Sequence, residues 1–206
     1  MNRQSSIPPV WFRLPPGFYD IRPDDREPLN SFAEALSSPD AQRELSQLVD
    51  GLEQLSGHDI VHTSVGLHPE EPGSVTTSLF SLTTKRAEQA NPRLTVARAA
   101  LAIARCSLWT SSVRRFIGLA SALPCCLVAG NISVPDVEQR LFQARVATVD
   151  PDGLHLLVLD LTSASTQHAN AYTDILEAVA HTISFSDPAS SAPATAGTSR
   201  ILELLQ

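Results

Sequence analysis

The sequence predicts an α+β protein: a twisted antiparallel sheet of about six or seven strands, made of hairpins and a meander and flanked by helices. Three observations carry that expectation. Strand-like runs arrive in pairs joined by short turn-rich segments, as antiparallel neighbours do. Helical patterns sit between the pairs and after the last one, which suits helices layered on a sheet. The last pair is the clearest. Val137 to Val149 and Leu154 to Thr162 flank Asp150-Pro151-Asp152-Gly153, where proline presets φ at the second turn position and glycine supplies φ > 0 near the end.

Each element has its own local reason. Trp11 to Ile21 is rich in aromatic and branched residues and reads as a first strand. Pro15-Pro16-Gly17 interrupts it, so it should lie at an edge or bend. Leu29, Phe32, Ala33 and Leu36 fall at helical spacing. A second helix restarts at Ser38-Pro39-Asp40, with serine to cap it, proline in its first turn and an acid at its positive end. Leu45, Leu48, Val49, Leu52 and Leu55 form its stripe, and Gly57 stops it. A hairpin spans 58–83 around His68-Pro69-Glu70-Glu71-Pro72-Gly73. Asn91-Pro92 opens a helix to about Arg105, whose stripe of Leu94, Ala97, Leu101 and Ala104 is narrow and alanine-rich. Val113 to Leu119 and Cys125 to Ile132 form the next hairpin. The run Leu154 to Leu161 is apolar on both faces, the pattern of a central strand covered on both sides. Tyr172, Ile175, Leu176, Val179 and Ile183 share one face of a closing helix over 167–183, with Ser165 or Thr166 as its cap. The total is about seven strands and four helices.

Composition excludes several classes of function. At 206 residues, 43% of them hydrophobic, the chain can bury a real core. A net charge of −7 argues against nucleic acid or an anionic membrane as partner, since both require a basic face. The N-terminus lacks the apolar stretch of a signal peptide. The most apolar window, Phe116 to Gly130, is too short to span a bilayer and carries Pro124, so it reads as a buried hairpin without membrane insertion. Three cysteines in such a chain predict reduced thiols and a cytoplasmic setting. Cys125 and Cys126 should sit on opposite faces of one strand as small apolar residues.

The search for chemistry finds no constellation with the right spacing. His58, His62 and His68 share strand parity, but the first two would stand roughly 13 Å apart, too far for one metal ion. His155 and Asp160 have opposite parity and cannot face each other. His168 and His181 lie off the apolar stripe of their helix and read as solvated. There is no GxSxG elbow, GxxxxGK[ST] loop or GxGxxG turn. Asp24-Asp25 and Glu70-Glu71 sit in turns and read as solvated surface. The expectation is therefore no enzyme, no cofactor and no metal. Arg114-Arg115 on a strand can meet an acidic partner, or can be one exposed arginine beside one snorkelling stem.

The order of strand, helices, hairpin, helix, four meander strands and closing helix resembles the Mog1/PsbP-like fold. The resemblance rests on the opening Leu14-Pro15-Pro16-Gly17-Phe18, the hairpin 58–83, the meander 112–162 and the terminal helix ending in Ile183-Ser184-Phe185. It covers about residues 9–186, and no motif transfers a functional residue. It implies binding rather than catalysis, since relatives bind a small GTPase, associate with photosystem subunits, act as envelope lipoproteins or chaperone secretion effectors. The absence of a signal peptide and of an anchoring cysteine leaves the adaptor and chaperone roles. The Ala-, Arg- and Pro-rich composition is compatible with the actinobacterial members.

Residues 1–8 read as a flexible start, 9–186 as one domain, and 187–199 as a linker of Ser, Ala, Pro and Thr. The linker ends in Arg200-Ile-Leu-Glu-Leu-Leu-Gln206. Ile201, Leu202, Leu204 and Leu205 form an apolar segment too short to fold alone, able to dock on its own domain or on another protein. The function expected is a protein-binding module, with Arg114, Arg115 and the four tail residues as its contacts and another protein as partner. The alternative is a small-molecule or lipid-binding domain with its pocket between sheet and helices.

Overall fold

The computed structural model describes residues 9–21, 60–70, 75–88, 91–135 and 139–187, with Pro39, Gln42 and Arg43 between them. The two helices expected over 29–57 and the tail beyond Asp187 lie outside the described residues. Seven strands, β1 (Phe18–Asp20), β2 (Ile60–Pro69), β3 (Val75–Arg86), β4 (Trp109–Phe116), β5 (Cys125–Ile132), β6 (Leu141–Val149) and β7 (His155–Ser163), form one sheet. Its order is β1-β2-β3-β7-β6-β5-β4, and every pairing is antiparallel. Helix α1 (Pro92–Ala104) follows β3, and α2 (Ala169–His181) follows β7.

β7 is the fourth of seven strands, the central place that its two apolar faces predict. Leu157, Leu159 and Leu161 point to the α2 side and are fully buried with Phe80, Leu82, Leu127, Val146, Tyr172 and Leu176. Full burial of such side chains stabilises by about 1.5–3 kcal/mol each. On the other side Val96 and Ala100 of α1 meet Cys126 and Val149, with Leu156 at the margin. Cys125 faces the α2-side core and Cys126 the α1 side, as period-2 alternation requires. Both are free thiols. Burial, with Cys126 and Glu177 adding to it, pushes Cys125 up to about 12.

Asn91 caps α1 twice, its Oδ1 accepting from the amides of Arg93 and Leu94 at 3.1 and 3.3 Å. α2 differs from expectation. A 3-10 turn over Thr166–His168 precedes it, His168 takes the N-cap position, and neither Ser165 nor His168 makes a side-chain cap bond. Ser165 is spent otherwise, its amide donating to Ser163 Oγ. The first strand is also shorter than its sequence suggests. Pro15-Pro16-Gly17 bends the chain, with Gly17 at φ +94°, so that only Phe18–Asp20 pair with β2. Trp11 instead bridges to Ser184 after α2, which brings the two ends of the described body together.

β4 starts four residues earlier than the hairpin pattern indicates and stops at Phe116. Trp109 Nε1 donates to the Ile103 carbonyl at 2.7 Å and pins the strand's start to the end of α1. A register shift follows between Trp109 and Ser111. Gly130 makes room for it, because a Cβ there would meet the Ser111 carbonyl oxygen at 2.0 Å. The window Phe116 to Gly130 is thus buried only in part: Ile117, Leu119 and the run 125–129 are buried, while Gly118 and residues 120–122 are exposed and Phe116 is 74% exposed.

Candidate functional site

Several clusters invite a chemical reading, and geometry decides each. Asp20, His62 and Ser64 are the residue types of a nucleophilic triad. A triad needs the hydroxyl on one ring nitrogen and the acid on the other. Here Ser64 Oγ, at 2.6 Å, and Asp20 Oδ1, at 3.3 Å, both approach His62 Nε2. The hydroxyl also donates a hydrogen bond to Asp20 Oδ1 at 3.1 Å. Ser64 is wholly buried. The arrangement ties β1 to β2 and does not activate a nucleophile.

Asp150 and His155 are a buried acid–imidazole pair. Asp150 Oδ2 lies 2.9 Å from His155 Nδ1, and Oδ1 accepts the His155 amide at 2.9 Å. The same two residues close the β6–β7 turn, the Asp150 amide donating to the His155 carbonyl. Gly153, at φ +69°, completes the loop between them. The pair is a lock on the hairpin. Sequence reading set His155 against Asp160 and missed this partner. The signal was present: an acid immediately before a four-residue loop and a histidine immediately after it occupy facing positions. Asp160 itself faces Arg145 across β6 and β7.

At the other end of the sheet His68 Nε2 lies 2.8 Å from Ser78 Oγ and packs on Tyr172 and Phe18. His168 pairs with Glu70 and stands edge-on to Tyr172. His168 is half-buried rather than the solvated side chain expected from sequence, while Glu70 is exposed, as its turn position predicts; the 3-10 turn before α2 brings the histidine to it. His181 is exposed, as its place off the stripe predicts. Among the described residues no group of three or more His, Cys, Asp or Glu could hold a metal ion. No helix among them is long and apolar enough to cross a membrane.

The surface that stands out is at the β4 edge. Among the described residues β4 pairs with β5 alone, and every residue from Thr110 to Phe116 is exposed. Phe116 and Arg114 face α1, opposite Cys126 and Val128. Between strand and helix lies a groove of about 320 Å³ lined by Ala97, Ala100, Leu101, Arg114, Arg115, Phe116 and Cys126. The alanines of α1 create it, since a methyl cannot fill the space out to the strand. Leu101 and Leu94, one heptad apart on α1, are 44% and 41% exposed beside it. Val113, on the opposite face of β4, is 67% exposed.

The two arginines are separated by strand alternation. Arg115 turns to the α2 side, where its Nη1 donates to Glu177 Oε1 at 2.8 Å and Nη2 to Oε2. Its charge is paired. Arg114 lies on the groove side, close enough to Cys126 to offset in part the rise that burial imposes on that thiol. Among the described residues no ion pair is formed by Arg114. Ile201, Leu202, Leu204 and Leu205 lie outside the described residues. Sequence reading found the arginines but missed Leu101 and Phe116: both were assigned to buried elements, because an apolar residue in a strand or helix is core by default. A second cleft, of about 220 Å³, flanks α1 on its β3 side and is lined by Lys85, Arg86, Glu88, Arg98 and Leu156 among others. The alternative expectation was a ligand pocket between sheet and helices; on the α2 side that space is filled by the side chains of Leu127, Val146, Leu157, Leu159 and Leu176, and on the α1 side it is the open groove beside β4.

No family model matches the chain, and no curated protein matches it. Among solved structures, the crystal structure of LpqN, involved in cell envelope biogenesis of Mycobacterium tuberculosis, is similar at 12% identity with a TM-score of 0.48, covering 86% of this chain and 83% of that one.

Proposed function

We propose that this chain is a non-catalytic protein-binding module that receives an extended partner segment along β4 and in the α1–β4 groove. The observation that carries the reading is the exposed eight-residue edge strand with Val113 and Phe116 on its two faces. Such an edge offers unpaired backbone groups, and pockets on alternate sides supply selectivity. Burying a residue such as Phe116 contributes about 1.5–3 kcal/mol. Arg114, held in an apolar groove, selects a segment with a carboxylate between apolar side chains. The chain's charge of −7 favours a protein partner over nucleic acid. We place the module on a Mog1/PsbP-like fold from its element order, and in the cytoplasm, as an adaptor or chaperone of a secretion or assembly system.

The test is a titration of the full chain with a ten-residue peptide alternating leucine and glutamate, against the same peptide with lysine for glutamate. The glutamate peptide should bind, and Phe116→Ser and Arg114→Glu should each weaken it at least tenfold. Equal binding by both peptides, or indifference to both substitutions, would remove the proposal.

A further inference from the structure

We infer that the outward face of α1 is a second docking site, one that takes an acidic amphipathic helix of a partner protein. The site goes beyond the β4 edge and stands whether or not that edge holds a peptide. Three observations support it. The first is the segregation of charge. Residues 85–115 hold seven of the chain's 15 lysines and arginines and one of its 22 aspartates and glutamates. A chain of net charge −7 thus carries a basic face that its total conceals. Arg115 is engaged by Glu177. Among the described residues Lys85, Arg86, Arg93, Arg98, Arg105 and Arg114 form no ion pair. Unpaired charge of one sign gathered on one face steers and selects a partner of the other sign.

The second is spacing. At 3.6 residues per turn, Leu94, Arg98, Leu101 and Arg105 fall within about 60° of arc and run about 16 Å along the helix. All four are exposed, and Arg105 keeps an α-helical backbone at the C-cap. Leucine and arginine therefore alternate along one straight stripe. The complement is a helix that presents apolar and acidic side chains at the same spacing.

The third is shape. Ala97 on one flank of the stripe lines the groove beside β4, and Ala102 on the other flank lines the cleft beside β3. That cleft gathers Lys85, Arg86 and Arg98 around a single acid, Glu88. α1 is a ridge between two hollows, the relief into which the side chains of a crossing helix interdigitate. A flat bilayer surface would leave both hollows unfilled. A nucleic-acid backbone would leave Leu94 and Leu101 without a contact. A second copy set α1 against α1 would bring arginine to arginine, and like charges at an interface repel.

The experiment titrates the full chain with a twenty-residue alanine-based helix carrying two leucines seven residues apart, each followed four residues later by glutamate. A second helix has lysine for glutamate. The glutamate helix should bind and shift the amide resonances of Leu94, Arg98, Leu101 and Arg105. Arg98→Glu/Arg105→Glu should weaken it at least tenfold and admit the lysine helix instead, and Leu94→Ser should weaken it severalfold. Both arginines are exposed, and an unchanged urea midpoint would show that the double variant is folded. Phe116→Ser should leave the affinity within twofold. Equal binding of the two helices, or indifference to the double reversal, would overturn the inference. Loss of helix binding in Phe116→Ser would overturn it by placing the contact in the β4 groove. Arginine-dependent binding to phosphatidylglycerol vesicles or to a DNA duplex, with the helix inert, would overturn it in favour of those partners. The β4 reading has its own probe, the extended peptide, so either site can fail alone.

Discussion

The two helices are each thirteen residues long and are held to the sheet in different ways. α2 has no side-chain cap, and it buries Tyr172, Leu176, Val179 and Ala180 against β5, β6 and β7. α1 is capped by Asn91, buries only Thr95, Val96 and Ala100, and leaves Leu94 and Leu101 exposed. Packing fixes α2; local hydrogen bonds and a few small contacts fix α1. The edges of the sheet differ in a matching way. β1 is three residues long behind two prolines, a blunted edge. β4 runs eight residues in the open and is guarded by two adjacent arginines, Arg114 and Arg115, rather than by length. The α2 side is built for stability, and the α1–β4 side keeps apolar surface that no other described residue covers.

Substitutions should divide along this line. Leu176→Ala, in the α2-side core, should cost about 3–4 kcal/mol in urea unfolding; a cost under 1 kcal/mol would show that α2 is not the anchor. Asp150→Ala should cost about 3 kcal/mol by leaving the His155 ring and amide without their acid, and should do so without altering peptide binding at β4. Acidification should also weaken the α2 side. Burial holds His62 and His68 below the ordinary 6.5, for His68 with help from the nearby His168. The unfolded chain therefore takes up protons that the folded chain refuses. Stability should be level above about pH 7 and fall as pH drops through 6.5, and His68→Gln should flatten that slope. A profile unchanged between pH 7.5 and 5.5 would contradict the assignment. Asn91→Ala should cost about 1 kcal/mol and raise hydrogen exchange in the first turn of α1 alone.

How much of this could be read from the chain depends on the range of the interactions. Period-2 runs and turn residues gave the order of the hairpins, and the two apolar faces of Leu154 to Leu161 placed that strand at the centre. Asn91-Pro92 announced a cap that the structure contains. The Ser165 cap failed because it was read from residue type, while the backbone entered α2 through a 3-10 turn. The groove was illegible for a different reason. Whether Leu101 and Phe116 are core or surface depends on how far α1 stands from β4. That spacing is set by alanines whose neighbours are dozens of residues away. The opposite fates of Arg114 and Arg115 follow from alternation, but which face held Glu177 required the closing helix to be in place.

The division of labour is tested most directly by the urea unfolding of full-length Phe116→Ser. Phe116 is a large aromatic in a strand, and truncation of such a residue in a core costs about 3–5 kcal/mol. If the β4 face is reserved for recognition, the variant should unfold within about 0.5 kcal/mol of the unmodified protein. A loss of 2 kcal/mol or more would mean that Phe116 belongs to the core and that the groove is part of the fold.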